Sequence, residues 1–352
     1  MNKKLIALAV AGACVAPAAM AQTANPVTLY GRVYVTFENV EAKDGAAPIS
    51  RRNRVTDNAS LLGVRGTEDL GGGLKAFFQL ETGFNPAQVQ ATYATRNSGV
   101  GLQGPWGSVL IGRWDVPIKS TSLVVDPYGD LTIGGFTAGM QGSGVFAAQQ
   151  GQFDRRDPSV VQYWSPEFAG FAVRASYMAN SGKTATLNPR SNGASVTYTG
   201  GPVYVGYAYH ELKDMAFGPF TLNKQTSNAV FGSFIFGPIK VGAMYQENKR
   251  DTFTKQKAWM GNVTYTMGNN QFIYQYTNAK DGAINGSLFV QPDCKVNALG
   301  YQYNFTRRTF FIGQYAKVEN NATATCNLGN AVAGIAPDQD PRGVSVGLRH
   351  IF

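Results

Sequence analysis

Residues 61–81 read LLGVRGTEDLGGGLKAFFQLE, and the fold follows from how that stretch alternates. Leu62 and Val64 fall on one side of an extended chain, Gly63 and Arg65 on the other. Asp69-Leu70-Gly71-Gly72-Gly73 then supplies a tight turn, since glycine populates the positive φ that such turns need. On the return, Leu74, Ala76, Phe78 and Leu80 share the apolar side, opposite Lys75, Gln79 and Glu81. A strand with period two has one greasy face and one wet face, so this is a hairpin.

The same period recurs from Val27 to Phe352. Tight connections are expected at 69–73, 104–107, 166–170, 200–202, 237–238, 268–270 and 306–308. Longer polar segments lie between them, at 41–57, 83–93, 114–158, 179–191, 212–225, 249–255, 280–294 and 319–341. Fifteen connections join sixteen strands, and they alternate long and short throughout. That rhythm puts every long loop at one end and both termini at the other, as in an outer-membrane barrel. A sandwich with Greek-key crossovers has no reason to keep it. In lipid the sheet must close, because an open edge would strand unpaired backbone groups. The expected fold is therefore all-β, a sixteen-stranded antiparallel transmembrane β-barrel that crosses the outer membrane many times. Tyr207, Tyr209, Tyr245, Tyr265, Tyr274, Tyr276, Tyr301 and Tyr303 have outward parity and suit an aromatic girdle at the lipid boundary.

The longest stretch without strand pattern, 114–158, contains DPYGD at 126–130 and GGFTAGM at 134–140. A loop of that length in a compact domain is unusual unless it is the working part. Folded into the lumen, it would set the free bore.

Composition narrows the setting. Lys3 and Lys4 precede the apolar run Leu5–Val15, which ends in Ala19-Met20-Ala21, the pattern of a secretory signal peptide. The expected division is a signal at 1–21 and the outer-membrane barrel at 22–352. Formal charge falls from +9 to +7 when the two lysines leave. The remaining charges are scattered singly along strands, which argues against a nucleic-acid partner. Cys14 leaves with the signal, so Cys294 and Cys326 remain, and an oxidising compartment makes a disulfide between them the default. The two histidines, His210 and His350, lie far apart and not at ligand spacing. No metal, cofactor or enzymatic chemistry is expected.

The chain resembles the general porins of β-proteobacteria. The likeness rests on GTEDLGGGLKAFFQLETGF (66–84), VLIGR (109–113), QYWSPEFAGF (162–171) and the closing GVSVGLRHIF (343–352). It implies a homotrimer in outer-membrane lipid that passes small ions and solutes. It also implies a third extracellular loop, 114–158, folded into the pore, and a second, 83–93, latched onto a neighbour. By the same likeness Arg96 and Arg156 fall at basic pore positions, while Leu61 stands where some relatives carry a further basic residue. Asp115, Asp126 and Asp130 are the loop acids that would face the basic cluster. Arg96 shares the parity of Val100 and Leu102, so its inward placement needs a bulge. Arg113, which closes VLIGR, joins the pore-lining set.

Parity gives an independent count of wetted charge. Arg32, Arg65, Lys75, Arg174, Lys240 and Arg349 face the lumen against Glu38 and Glu81. An interior lined by Arg and Lys favours anions. The expected function is a passive diffusion channel with a modest anion preference. A substrate-specific channel, with Tyr128 and Phe136 as an aromatic track, is the alternative.

Overall fold

The computed structural model describes residues 27–87, 93–129, 132–135, 153–179, 182–217, 220–250, 253–280 and 293–352. The expected signal peptide lies outside these residues, as do Asp130, Phe136 and the centre of the expected latch. Strands are β1 (Thr28–Lys43), β2 (Ile49–Asp57), β3 (Leu61–Gly71), β4 (Leu74–Gly83), β5 (Ser98–Gly104) and β6 (Gly107–Asp115). A short helix, α1 (Pro117–Ser122), and a 3-10 turn (Leu123–Val125) follow. Next come β7 (Arg156–Trp164), β8 (Phe171–Met178), β9 (Arg190–Gly200), β10 (Val203–Phe217), β11 (Phe220–Phe236) and β12 (Ile239–Arg250). The sheet ends with β13 (Phe253–Met267), β14 (Asn270–Lys280), β15 (Asp293–Asn304), β16 (Thr309–Asn320) and β17 (Asp340–Ile351).

Every neighbouring pair is antiparallel, and β1 pairs with β17 from Arg32↔Ile351 to Lys43↔Asp340, which closes the ring. Gly31 and Phe352 exchange two backbone hydrogen bonds of 3.0 Å at the seam. Among the described residues no sheet edge is left open, as a barrel in lipid requires.

The barrel has sixteen staves because β2 and β3 are two halves of one. Both pair with β1, β2 through Val35↔Asp57 and β3 through Arg32↔Leu61, and one residue too many lies between them. The surplus is taken up at Asn58-Ala59-Ser60, where Ala59 has φ 59°. The detour is well bonded. The Asp57 carboxylate accepts the Ser60 amide at 3.0 Å, Ser60 Oγ accepts the Tyr34 amide at 2.9 Å, and Arg32 Nε donates to Ala59 O at 2.7 Å. A one-residue surplus flips parity. Arg54 and Thr56 therefore share a face with Leu61, Gly63 and Arg65.

This corrects the reading of 41–57 as a loop. The polar composition of β2 reflects a stave that rises above the apolar belt, where both faces are wet. The same reason explains why 212–225 and 249–255 hold strand rather than loop: β10 runs on to Phe217, β11 starts at Phe220, and β12 and β13 are separated only by 251–252.

Outward parity is apolar, with Val100, Leu102, Ile111, Val230, Leu299 and Leu348 all exposed. Tyr207, Tyr245, Tyr265 and Tyr274 are exposed beside them, together with Trp259, whose ring lies 5.1 Å from Tyr276. An uninterrupted apolar exterior of this size would not face water. The buried core lies on the opposite face of the sheet. It joins Ile118, Val125, Tyr128 and Ile133 to wall residues such as Met244, Met260 and Val296, and to Leu328 and Val332. Cys294 and Cys326 are bonded, tying the connection between β16 and β17 to β15.

Candidate functional site

The inward wall from β1 to β7 carries a chain of charged contacts. Arg65 lies over the Tyr30 ring, 4.9 Å from its centroid, and Tyr30 OH donates to Glu81 Oε2 at 3.2 Å. Glu81 Oε1 in turn accepts Arg96 Nε at 2.6 Å. Parity alone would send Arg96 outward, and the structure shows what reverses it. Regular β4–β5 pairing stops at Gln79↔Gly99. Beyond that, the Glu81 amide donates to Ser98 Oγ and the Arg96 amide donates to Glu81 O. The local irregularity turns Arg96 onto the Glu81 side.

A second knot forms where β6 ends. Asp115 accepts Arg156 Nη2 at 2.9 Å and Asn97 Nδ2 at 2.9 Å, while Asn97 Oδ1 accepts the Asp115 amide and Arg156 Nε. Gln162 Nε2 donates to Asp115 O at 2.8 Å, and Lys119 reaches Asp154 at 2.8 Å and Asp115 at 3.8 Å. Arg113 Nε donates to Thr95 O at 3.1 Å. Asp115 was expected to oppose the arginines from a loop. It belongs instead to the wall and pairs directly with Arg156, because β6 extends to residue 115 rather than ending at 113. Asp126 is part of the connecting segment, and its Oδ1 accepts the Tyr128 amide at 2.9 Å in a local turn. Of the other expected residues, Arg32 holds the β2–β3 detour, and Lys75 stands opposite Asp69 and Gln103 on the inward face near the short turns.

The segment after β6 is held by side chains of β8, β10 and β12–β14. Pro117 starts α1, and Ser120 Oγ accepts Arg174 Nη1 at 3.1 Å. Tyr204 OH donates to Thr121 O, Lys240 Nζ to Val124 O, Asn262 Nδ2 to Val125 O and Gln275 Nε2 to Gly134 O, at 2.8 to 3.2 Å. Tyr128 fits beneath the backbone of β15, where a Cβ on Gly300 would come within 2.7 Å of its ring. Burial pushes its phenol well above the usual range.

Three groups were not anticipated in these roles. Arg54 pairs with the fully buried Glu38 at 2.8 Å and donates to Ala331 O and Asn330 O. Asn330 Nδ2 also donates to Glu38, and Gly329 N reaches Ile133 O at 3.2 Å, so the connection before β17 touches the segment after β6. The third is a buried cluster of Ser191, His210 and Asp157. Ser191 Oγ donates to Asp157 Oδ2 and lies 2.8 Å from His210 Nε2. Here serine sits between the other two, and all three are buried, so it offers no activated nucleophile to solvent. With Arg155 on Asp157 and Phe153 against the His210 ring, it fixes the segment returning into β7. Arg54 was hidden by the loop reading, and this cluster joins residues too distant in sequence to associate.

The family model of the Gram-negative porins matches residues 7–323. The chain belongs to the Gram-negative porins. Outer membrane porin protein 32 of Delftia acidovorans is 33% identical over the whole of both chains. Major outer membrane protein P.IB of Neisseria meningitidis is 26% identical, again over both whole chains. Among solved structures, the anion-selective porin from Comamonas acidovorans superposes with TM-score 0.78 at 27% identity, covering 93% of this porin and 100% of that one. Salmonella typhi OmpF, at 18% identity and TM-score 0.68, shares the fold. This porin is a passive channel of the outer membrane.

Proposed function

We propose that the segment between β6 and β7 folds into the lumen as the constriction, and that Arg96 and Arg156 give the channel a modest preference for small anions. One observation carries this reading: the hydrogen bonds from the far wall to 121–134 come from Tyr204, Lys240, Asn262 and Gln275, each adjacent in its strand to an exposed apolar side chain of the outer face, Val205, Val241, Val263 and Tyr274. The opening is then bounded on one side by Arg65, Arg96, Arg113 and Arg156 and on the other by the backbone of the segment. Glu81 and Asp115 neutralise part of that charge, which keeps the preference modest. Passage needs no tight binding, since a solute must also leave. The similar porin from Comamonas acidovorans is anion-selective, the same sign of preference. Assembly as a homotrimer, with 83–93 reaching a neighbour, is part of the proposal. Reversal potentials in planar bilayers test it. The Arg96→Ala/Arg156→Ala double variant is expected to move toward zero or cation preference, and an unchanged potential refutes the assignment.

A further inference from the structure

A recess of about 430 Å³ opens on the inward wall of β3–β7, between the short turn at 104–107 and the Asp115–Arg156 pair. Its lining includes Phe77, Trp114, Trp164, Arg65, Gln103 and Ser108. The rings form one surface: Phe77 and Trp164 lie 6.4 Å apart at 25°, and Trp114 and Trp164 lie 5.3 Å apart at 57°. Gly101 makes room for it, since a Cβ there would come within 2.5 Å of the Phe77 ring. The Trp164 indole N–H is already donated to Gln162 Oε1, and Arg174 lies 5.5 Å from the Trp164 ring centre.

Two further cations, Arg65 in the lining and Lys75 opposite Gln103, stand on the same inward face. Arg65 and Lys75 form no hydrogen bond or ion pair with any described residue, although Arg65 rests on the Tyr30 ring. Asp69 is the acid opposite Lys75, and its Oδ1 accepts the Gly71 amide. Glu81 is engaged by Tyr30 and Arg96. The recess therefore sets aromatic faces beside uncharged polar groups such as Thr67, Gln79 and Gln103, and the charge next to it is net positive.

We propose that this recess is a weak binding station for aromatic carboxylates in transit. The planar ring stacks on Trp114, Trp164 and Phe77, as offset aromatic pairs do, and the carboxylate turns to the Arg65 guanidinium. The chemistry selects this class. An aliphatic acid uses the guanidinium but loses the stacking, a neutral aromatic does the reverse, and an aromatic cation meets Arg65 and Lys75. The volume suits one small ring, near the lower end of ligand sites, which span roughly 300–1,000 Å³. The proposal rests on reading the inward face as the permeation path, and it gives that path a preferred solute.

The test uses the full-length porin with benzoate, cyclohexanecarboxylate and benzyl alcohol as matched probes. Probe is added on the short-turn side of planar bilayers, and saturable reduction of chloride current is measured. Tryptophan fluorescence of the detergent-solubilised protein gives binding without any current. Benzoate is expected to half-saturate at about fivefold lower concentration than cyclohexanecarboxylate, equivalent to about 1 kcal/mol, with benzyl alcohol weaker than benzoate. Trp114→Leu should bring the two acids together, and Phe77→Leu should do so if that variant does not assemble. Arg65→Gln should weaken both acids. Equal half-saturation of the two acids in the unaltered protein overturns the proposal, as does retention of the ratio in the leucine variants. An unchanged reversal potential in the Arg96→Ala/Arg156→Ala variant would remove the anion-preference reading and leave the benzoate ratio where it stands.

Discussion

Asp115→Asn removes one negative charge from the inward wall at the proposed constriction and keeps an acceptor for Arg156 and Asn97, which lie 2.9 Å away. The size of the effect follows from Coulomb's law. An ion passing about 8 Å away in a water-filled bore feels about 0.5 kcal/mol from a unit charge at a dielectric constant of about 80. The substitution favours an anion by that amount and disfavours a cation by the same amount. The permeability ratio therefore shifts by about 1 kcal/mol, roughly fivefold without screening. Screening lengths of about 30, 10 and 3 Å at 0.01, 0.1 and 1 M salt reduce this to roughly fourfold, twofold and almost nothing. Reversal potentials of the variant and the unaltered channel under chloride gradients centred on those three concentrations measure it. An unchanged ratio in dilute salt would refute the placement of Asp115 beside the ion path. A shift of equal size at all three concentrations would refute the electrostatic account and point to altered shape.

Further outcomes concern what holds the inward segments. Gly300→Val should displace the Tyr128 ring, cost about 1–3 kcal/mol through overpacking, and raise single-channel conductance as the segment loosens; thermal unfolding and conductance check both. Arg54→Ala leaves the buried Glu38 without its guanidinium and should cost about 3 kcal/mol, near the lower end for breaking such pairs, because Arg54 is partly exposed. Limited proteolysis should then cut within 321–339. Cys326→Ser removes a cross-link between positions 32 apart in sequence. By chain entropy that should cost about 3–4 kcal/mol, read as a lower urea midpoint than the disulfide-bonded protein shows.

The wall was legible in the sequence because parity is a property of single residues. Leu62, Val64, Leu74 and Leu80 announce a greasy face wherever the hairpin is placed, and the alternation of long and short connections supplies the topology. Arg65, Lys75 and Glu81 could be put on the wet face for the same reason. The contacts between them could not, since the Tyr30–Glu81–Arg96 chain depends on an irregularity at Ser98 that no local pattern marks. Asp115 illustrates a second limit: whether a carboxylate faces an arginine across a gap or grips it sideways depends on where a strand ends by two residues. Arg54 illustrates a third, because above the apolar belt both faces of a strand are polar and the period-two signal vanishes.

The surplus residue at 58–60 acts as a phase shifter within a single stave. Above it even-numbered side chains point inward, and below it odd-numbered ones do. Removing Ala59 alone would put the two halves back in step and rotate Arg52, Arg54 and Thr56 to the outer face of the barrel, parting Arg54 from the buried Glu38. Leaving that carboxylate buried without its partner costs about 3–5 kcal/mol. The stave thus tolerates loss of residues in pairs far better than loss of one, which makes chain length at this point a constraint as strict as residue identity.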